Sequence, residues 1–213
     1  MIIRCDDNFV TFVLLNSTII LNYLAHILLS GNDPQVKIGN FIGDFVKGSR
    51  LNEYPPKIRQ GIVLHRKIDE FTDSHPVVRE TVNFIRPSFG RYSGVIADMY
   101  FDYFLAINFC SYSSESLNVF AFRFYFLVIV NYKHLPVRVQ GFIFHFISAN
   151  RLKKYASIDG LKDSLQIMAN YKSSAIEPDK TIQFLLENSD EIEKRFHSFF
   201  PDLIEFARRE SVK

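Results

Sequence analysis

The chain has 213 residues, 47% hydrophobic and 23% charged, which suits one sizeable globular core and excludes wholesale disorder. A formal net charge of +2 gives no argument for nucleic-acid binding. Two cysteines, Cys5 and Cys110, cannot build a disulfide framework and agree with a reducing cytosol, while 22 phenylalanines and no tryptophan predict a core of Phe, Ile and Leu.

Residues 1–20 hold β-branched runs without helical periodicity and read as an N-terminal extension. The apolar stretch from Phe9 to Leu29 follows Asp6 and Asp7, is interrupted by Asn16, Ser17, Thr18, Asn22 and His26, and has no cleavage site after it. It therefore reads as neither a secretory signal nor a membrane span. Asn22 is expected to cap a short helix through Leu29, ended by Ser30-Gly31-Asn32. Asp33-Pro34 reads as an N-cap followed by proline at the first helical position, and the stripe Ile38, Phe41, Ile42, Phe45 carries that helix to Gly48. Pro55-Pro56 opens a third helix to about Thr72, and Ser74-His75-Pro76 a fourth, closed by Pro87 and Gly90.

Ser93 to Asn108 is apolar almost all round, so a central helix is expected there. Ser113-Ser114-Glu115 starts a helix through Val119–Val130. That run is about half the length of a bilayer span and contains Arg123, which predicts a buried core helix. Pro136, Gly160 and Pro178 each precede another helix. The last, Asp179 to Arg209, is amphipathic on Ile182, Leu185, Leu186, Ile192 and Phe196, with a break at Pro201. With no strand alternation, repeat or low-complexity tract, the fold class is all-α, a single-domain helical bundle over residues 21–213.

The chemistry concentrates on the third helix. Ile58, Ile62, His65, Asp69 and Thr72 share one face, where an imidazole and a carboxylate lose solvation unless each finds a partner. His65-x3-Asp69-x3-Asp73 puts three ligand-type groups one turn apart, which suits a divalent cation. The alternative is an ion-pair ladder with Arg66 and Lys67, although those cations point a quarter turn or more away. Asp98 and Asp102, one turn apart among aromatics, must be paired, protonated or liganding, with Arg79, Arg86 or Arg91 as possible salt-bridge partners. A carboxylate–histidine mixture suits Mn²⁺ or Mg²⁺. Asp44 borders an apolar stripe between glycines that permit close approach, and His26 lies in an apolar segment where a histidine is ordinarily a core residue. Lys47, Arg50, Lys57, Arg59, Arg66, Lys67 and Arg79 cluster around these motifs, as a solvated face or as a rim for an acidic protein or a phosphate.

Four segments together resemble the acyl carrier protein phosphodiesterase family, helical enzymes similar to the HD-type metal phosphohydrolases. They are Leu21-Asn22-Tyr23-Leu24-Ala25-His26, Gly39 through Gly48, Gly61 through Asp73, and Asp98-Met99-Tyr100-Phe101-Asp102-Tyr103-Phe104-Leu105. The resemblance implies an HD-phosphohydrolase-like fold and cytoplasmic, Mn²⁺- or Mg²⁺-assisted hydrolysis of holo-acyl carrier protein to the apo form and 4′-phosphopantetheine, a reaction of lipid metabolism. It implies Asp44, His65 and Asp69 as catalytic residues, and His26, Asp44, His65, Asp69, Asp98 and Asp102 as metal ligands. Lys47, Arg50, Arg66 and Lys67 become the substrate-binding rim, with no nucleic-acid partner and no stable membrane insertion. The chain departs from the family pattern at Tyr103, where a histidine is expected. Leu21 stands where the pattern begins with methionine, so residues 1–20 read as a misassigned start, with a real extension as the alternative. The alternatives are an HD-like phosphohydrolase acting on a nucleotide or other small phosphodiester, and a non-catalytic helical binding or membrane-associated module.

Overall fold

A computed structural model describes residues 23–171 and 176–212. The expected extension 1–20, the Asn22 cap and Cys5 lie outside the described residues. Among those described there are helices and turns and no strand, in keeping with the all-α expectation.

Helix α1 (Tyr23–Leu29) leads to α2 (Pro34–Phe41), whose N-cap Asp33 accepts hydrogen bonds from the amides of Gln35 and Val36. The expected continuation of α2 to Gly48 does not form. The chain leaves the helix after Phe41 and makes two 3₁₀ turns, Gly43–Phe45 and Gly48–Glu53, with Gly48 at a φ of 46°. Then come α3 (Pro56–Ser74) and α4 (Pro76–Phe89), the latter ended by Gly90 at a φ of 53°. The next three are α5 (Ser93–Ile107), α6 (Leu117–Val130) and α7 (Val137–Ser148). Ser116, not Ser113 or Ser114, caps α6, accepting from the Val119 amide. The short α8 (Arg151–Lys154) precedes α9 (Ile158–Tyr171), which takes Gly160 into its first turn.

The single helix expected from Asp179 to Arg209 is two, α10 (Pro178–Glu187) and α11 (Ser189–Val212). The break falls at Asn188, whose backbone and side-chain N–H groups both bond the Phe184 carbonyl and close α10. Pro201, expected to interrupt, sits inside α11 on the exposed face, where solvent can take over the carbonyl it leaves without a donor.

The buried residues form one cluster, with α5 at its centre. Ile96, Ala97, Met99, Tyr100, Phe104 and Leu105 are all inaccessible to solvent, and the Tyr100 hydroxyl donates to the Thr181 carbonyl at 2.7 Å. Helix α11 closes the core with Phe196, Phe199 and Phe200, which stack, tilt or meet edge-on against Phe101, Phe104 and Tyr112. The expectation of a fully buried helix at Val119–Val130 is corrected. Phe120, Ala121, Phe124, Tyr125 and Val128 face the core, while Val119, Phe122, Phe126, Ile129 and Val130 face outward.

Helices α2 and α3 pack at backbone contact. A Cβ on Gly39 would lie 2.0 Å from the Ile58 carbonyl oxygen, and one on Gly61 2.1 Å from that of Val36. Only hydrogen side chains permit this crossing. Its effect is to bring Asn40, one residue beyond Gly39, beside His65, one turn beyond Gly61. No helix among the described residues is long and apolar enough to cross a membrane.

Candidate metal centre

Five side chains from α1, α2, the first 3₁₀ turn and α3 converge, two of them histidines. His26 on α1 and His65 on α3 stack with ring centroids 4.0 Å apart and planes 25° from parallel. Between them and the backbone stands Asn40, fully buried on α2. Its Nδ2 donates to the His26 carbonyl oxygen at 2.9 Å, which fixes the amide's orientation and turns Oδ1 toward the rings. That one oxygen then lies 2.8 Å from Nδ1 of His26 and 3.2 Å from Nδ1 of His65. A carbonyl oxygen can only accept, so both rings carry a proton on Nδ1, and each ring when neutral presents its lone pair at Nε2.

Those two lone pairs face carboxylates. His26 Nε2 lies 3.1 Å from Asp69 Oδ1, and His65 Nε2 lies 3.3 Å from Asp69 Oδ2 and 3.2 Å from Asp44 Oδ1. Neither Nε2 makes a hydrogen bond, although both are buried. Ligand atoms of His26, His65 and Asp69 all fall within 4.8 Å of one another. Acceptors crowded together out of solvent are unfavourable unless a cation sits among them. Two imidazole nitrogens and carboxylate oxygens on a preset tautomer are the donor set for a divalent metal, so the residues present fit such an ion.

The electrostatics separate the two rings. Burial, reinforced by the neighbouring His65, pushes the His26 pKa down, so its ring is neutral and ligand-competent. Burial also opposes charge on His65, but the adjacent carboxylates of Asp44 and Asp69 outweigh it and raise its pKa, so a cation entering here competes with a proton at Nε2. Burial opposes charge on Asp69 as well, and the two histidines outweigh it, holding that carboxyl below its ordinary range. Local geometry makes this tightness possible. Gly43 abuts the His65 ring so closely that a Cβ there would fall 2.3 Å from Cγ. The i, i+4 spacing on α3 places Asp69 one turn above His65.

Of the six residues expected as ligands, the fold gathers His26, Asp44, His65 and Asp69 and sets Asp98 and Asp102 apart. Asp102 accepts from the Ala25 amide at 3.3 Å and also bonds that of Leu24, so it caps the start of α1. Its Oδ2 has no hydrogen-bond partner, and burial drives its pKa well above the carboxylate range. The alternative partner Arg79 bonds the Asp73 carbonyl instead. Asp98 and Asp102 line a cavity of about 20 Å³, room for one water, with Phe101 and Leu203. Asp73 is exposed, one turn past the cluster.

The expected rim divides too. Lys47 and Arg50 are exposed near Asp44, with Arg50 bonded to Glu53. Arg66 donates to the Val46 carbonyl at 2.8 Å, tying α3 to the turn that carries Asp44. Lys67 is held by Glu210 of α11 at 2.5 Å and points away from the rim. Tyr103 packs edge-on to Phe104, its phenol near Glu193, not at the histidines. Sequence reasoning missed Asn40; the available signal was an amide set between Gly39 and Phe41, at the apolar end of a short helix.

The sequence family described as acyl carrier protein phosphodiesterase matches residues 21–203. Among individual proteins, the chain is 28% identical over 193 residues to one from Yersinia pestis, covering 90% of this chain and all of that one. It is 26% identical to one from Yersinia enterocolitica and 28% identical to one from Salmonella agona over the same spans. All three carry the name acyl carrier protein phosphodiesterase. No solved structure matches.

Proposed function

The chain belongs to the acyl carrier protein phosphodiesterase family, and from that premise we propose that it is a cytoplasmic phosphodiesterase releasing 4′-phosphopantetheine from holo-acyl carrier protein. The observation that carries the reading is the pair of buried histidine Nε2 atoms facing Asp69 without a hydrogen bond. His26, His65 and Asp69 would hold a divalent cation, Mn²⁺ or Mg²⁺ by donor chemistry. When bound, such an ion withdraws charge from a phosphoryl oxygen and acidifies water.

The remaining work falls to the chain's own groups. Asn40 keeps both imidazoles in the tautomer that exposes Nε2. Asp44 lies at the open edge, its side chain 18% exposed, where it accepts a proton from the attacking water as the water oxygen bonds to phosphorus; the bond from phosphorus to the carrier's serine oxygen breaks, and that oxygen takes up a proton from solvent to leave as the hydroxyl. Lys47 and Arg50, on the turn beyond Asp44, meet the diester's charge and the acidic carrier.

Incubating the protein and Mn²⁺ with holo-carrier, and weighing the carrier before and after, tests this directly. Release of phosphopantetheine is expected from the parent and loss of release from Asp69→Ala. No release across several divalent metals overturns the substrate assignment, and turnover of small phosphodiesters alone transfers it to that class.

A further inference from the structure

Helix α6 is apolar on both sides, yet only one side is buried. Along its outer face Val119, Phe122, Phe126 and Ile129 follow one another at helical spacing, with Phe122 73% exposed and Phe126 63% exposed. The face continues around the turn into α7, where Val137 is 80% exposed and Phe144 is 60% exposed, Phe144 lying against Tyr132 with centroids 5.6 Å apart. A contiguous exposed patch of this kind marks a surface that something covers.

Charge says what. From Ser116 to Ile158 the sequence contains no aspartate or glutamate, while Arg123, Lys133, Arg138, Arg151, Lys153 and Lys154 lie in that interval. Arg123 is paired with Glu115, just before it, at 3.1 Å, and Lys154 with Asp163 at 2.6 Å, while Lys133 and Arg138 stand in and just after the α6–α7 turn beside the exposed apolar side chains. Beside α6 a groove of about 300 Å³, lined by the outward Phe122 and Phe126, holds Lys37, its amine 5.3 Å from the centre of the Phe120 ring. The covering surface is therefore apolar and negative. A second copy would bring cations against cations.

The polar groups of the α6–α7 turn are occupied internally. Asn131 Nδ2 donates to the Leu127 carbonyl, and Gln140 Nε2 to those of Tyr132 and Leu135. A protein interface carries roughly one hydrogen bond per 100–200 Å², and this turn spends its side-chain amides on its own backbone. A bilayer asks for no such bonds: it takes apolar side chains at the headgroup boundary and cations beside phosphates.

We infer that the outer face of α6 and the α6–α7 turn rest on a lipid bilayer bearing anionic headgroups, the chain lying on the membrane without crossing it. This does not depend on the proposed catalysis. The test is flotation of the full chain with phosphatidylcholine vesicles, with and without phosphatidylglycerol, at low and high salt. Binding is expected on the anionic vesicles only and weakens with salt. The double variant Phe122→Ser/Phe126→Ser and the single variant Lys133→Glu each lower partitioning by about tenfold or more, with the thermal midpoint unchanged because these side chains are exposed. Val137→Ser serves the same purpose should the double variant fold poorly.

Failure to float, or equal flotation of parent and variants, overturns the inference. So does a dimer in light scattering that the Phe122→Ser/Phe126→Ser variant dissolves, or capture of an acidic protein through this face in place of vesicles.

Discussion

One oxygen atom, Asn40 Oδ1, decides the state of two imidazoles. Replacing Asn40 with Ala leaves both Nδ1 protons without an acceptor and frees the rings to reverse their tautomers. We expect Mn²⁺ affinity, read by titration calorimetry, to fall roughly 10- to 100-fold, with imidazole ¹⁵N shifts reporting the tautomer change in metal-free protein. Unchanged affinity would show that the rings are oriented without the amide. Asp102 makes a different prediction. Its pKa is raised by burial in the fold, so the native state keeps a proton that the unfolded chain gives up near the ordinary value of 3.8. The unfolded state then binds fewer protons, and stability falls as pH rises from there through the raised native value. Asp102→Asn, which can still accept from the α1 amides, should remove that fall, and urea midpoints measured from acid to neutral pH would show it. A parent with no such fall would show that Asp102 is charged in the fold. The His65–Asp69 pair was legible in the sequence because a period of 3.6 exposes polar groups on an apolar stripe. Asp102 satisfied the same criterion for another reason, since burial and liganding leave the same trace in a sequence.

The crossing of α2 and α3 is the contact on which the centre depends. Gly61→Ala drives a Cβ into the Val36 carbonyl, and backbone on both sides cannot yield cheaply. A loss of about 3 kcal/mol or more is expected from denaturant unfolding; a loss under about 1 kcal/mol would mean that the helices slide freely. Pro201 supplies the opposite sign. Ala at this exposed position in α11 restores an amide donor to the His197 carbonyl, so Pro201→Ala should raise the thermal midpoint by a few degrees. Helix boundaries were legible where chemistry marks them, as at Asp33-Pro34 and Pro55-Pro56. They were hidden where a tertiary contact decides. Nothing in the stripe Ile38–Phe45 says that Gly43 must fold against an imidazole, so α2 was expected to run too far. Asn188, not Pro201, ends α10 because the amide closes that helix on itself, whereas a proline with its face to water is tolerated.

The buried residues of all described helices form one core, so an ion bound at the centre should stabilise the molecule as a unit. Mn²⁺ at about a hundred times its dissociation constant should add about 2.7 kcal/mol, seen as a rise in thermal midpoint that Asp69→Ala abolishes. A midpoint indifferent to Mn²⁺ would remove the ion from the account. The all-α class followed from periodicity across the chain, whereas the half-open state of α6 could not, because an apolar sequence reads the same whether protein or another medium lies beside it. The candidate centre is also lopsided: His26 and His65 show 1% and 4% of their side chains to solvent, Asp69 28% and Asp44 18%. Among the described residues the centre therefore meets solvent through its carboxylates and not its imidazoles. If an ion and a carrier phosphodiester bind as proposed, both approach across that acidic flank, and chelators should strip the resting protein faster than the occupied one.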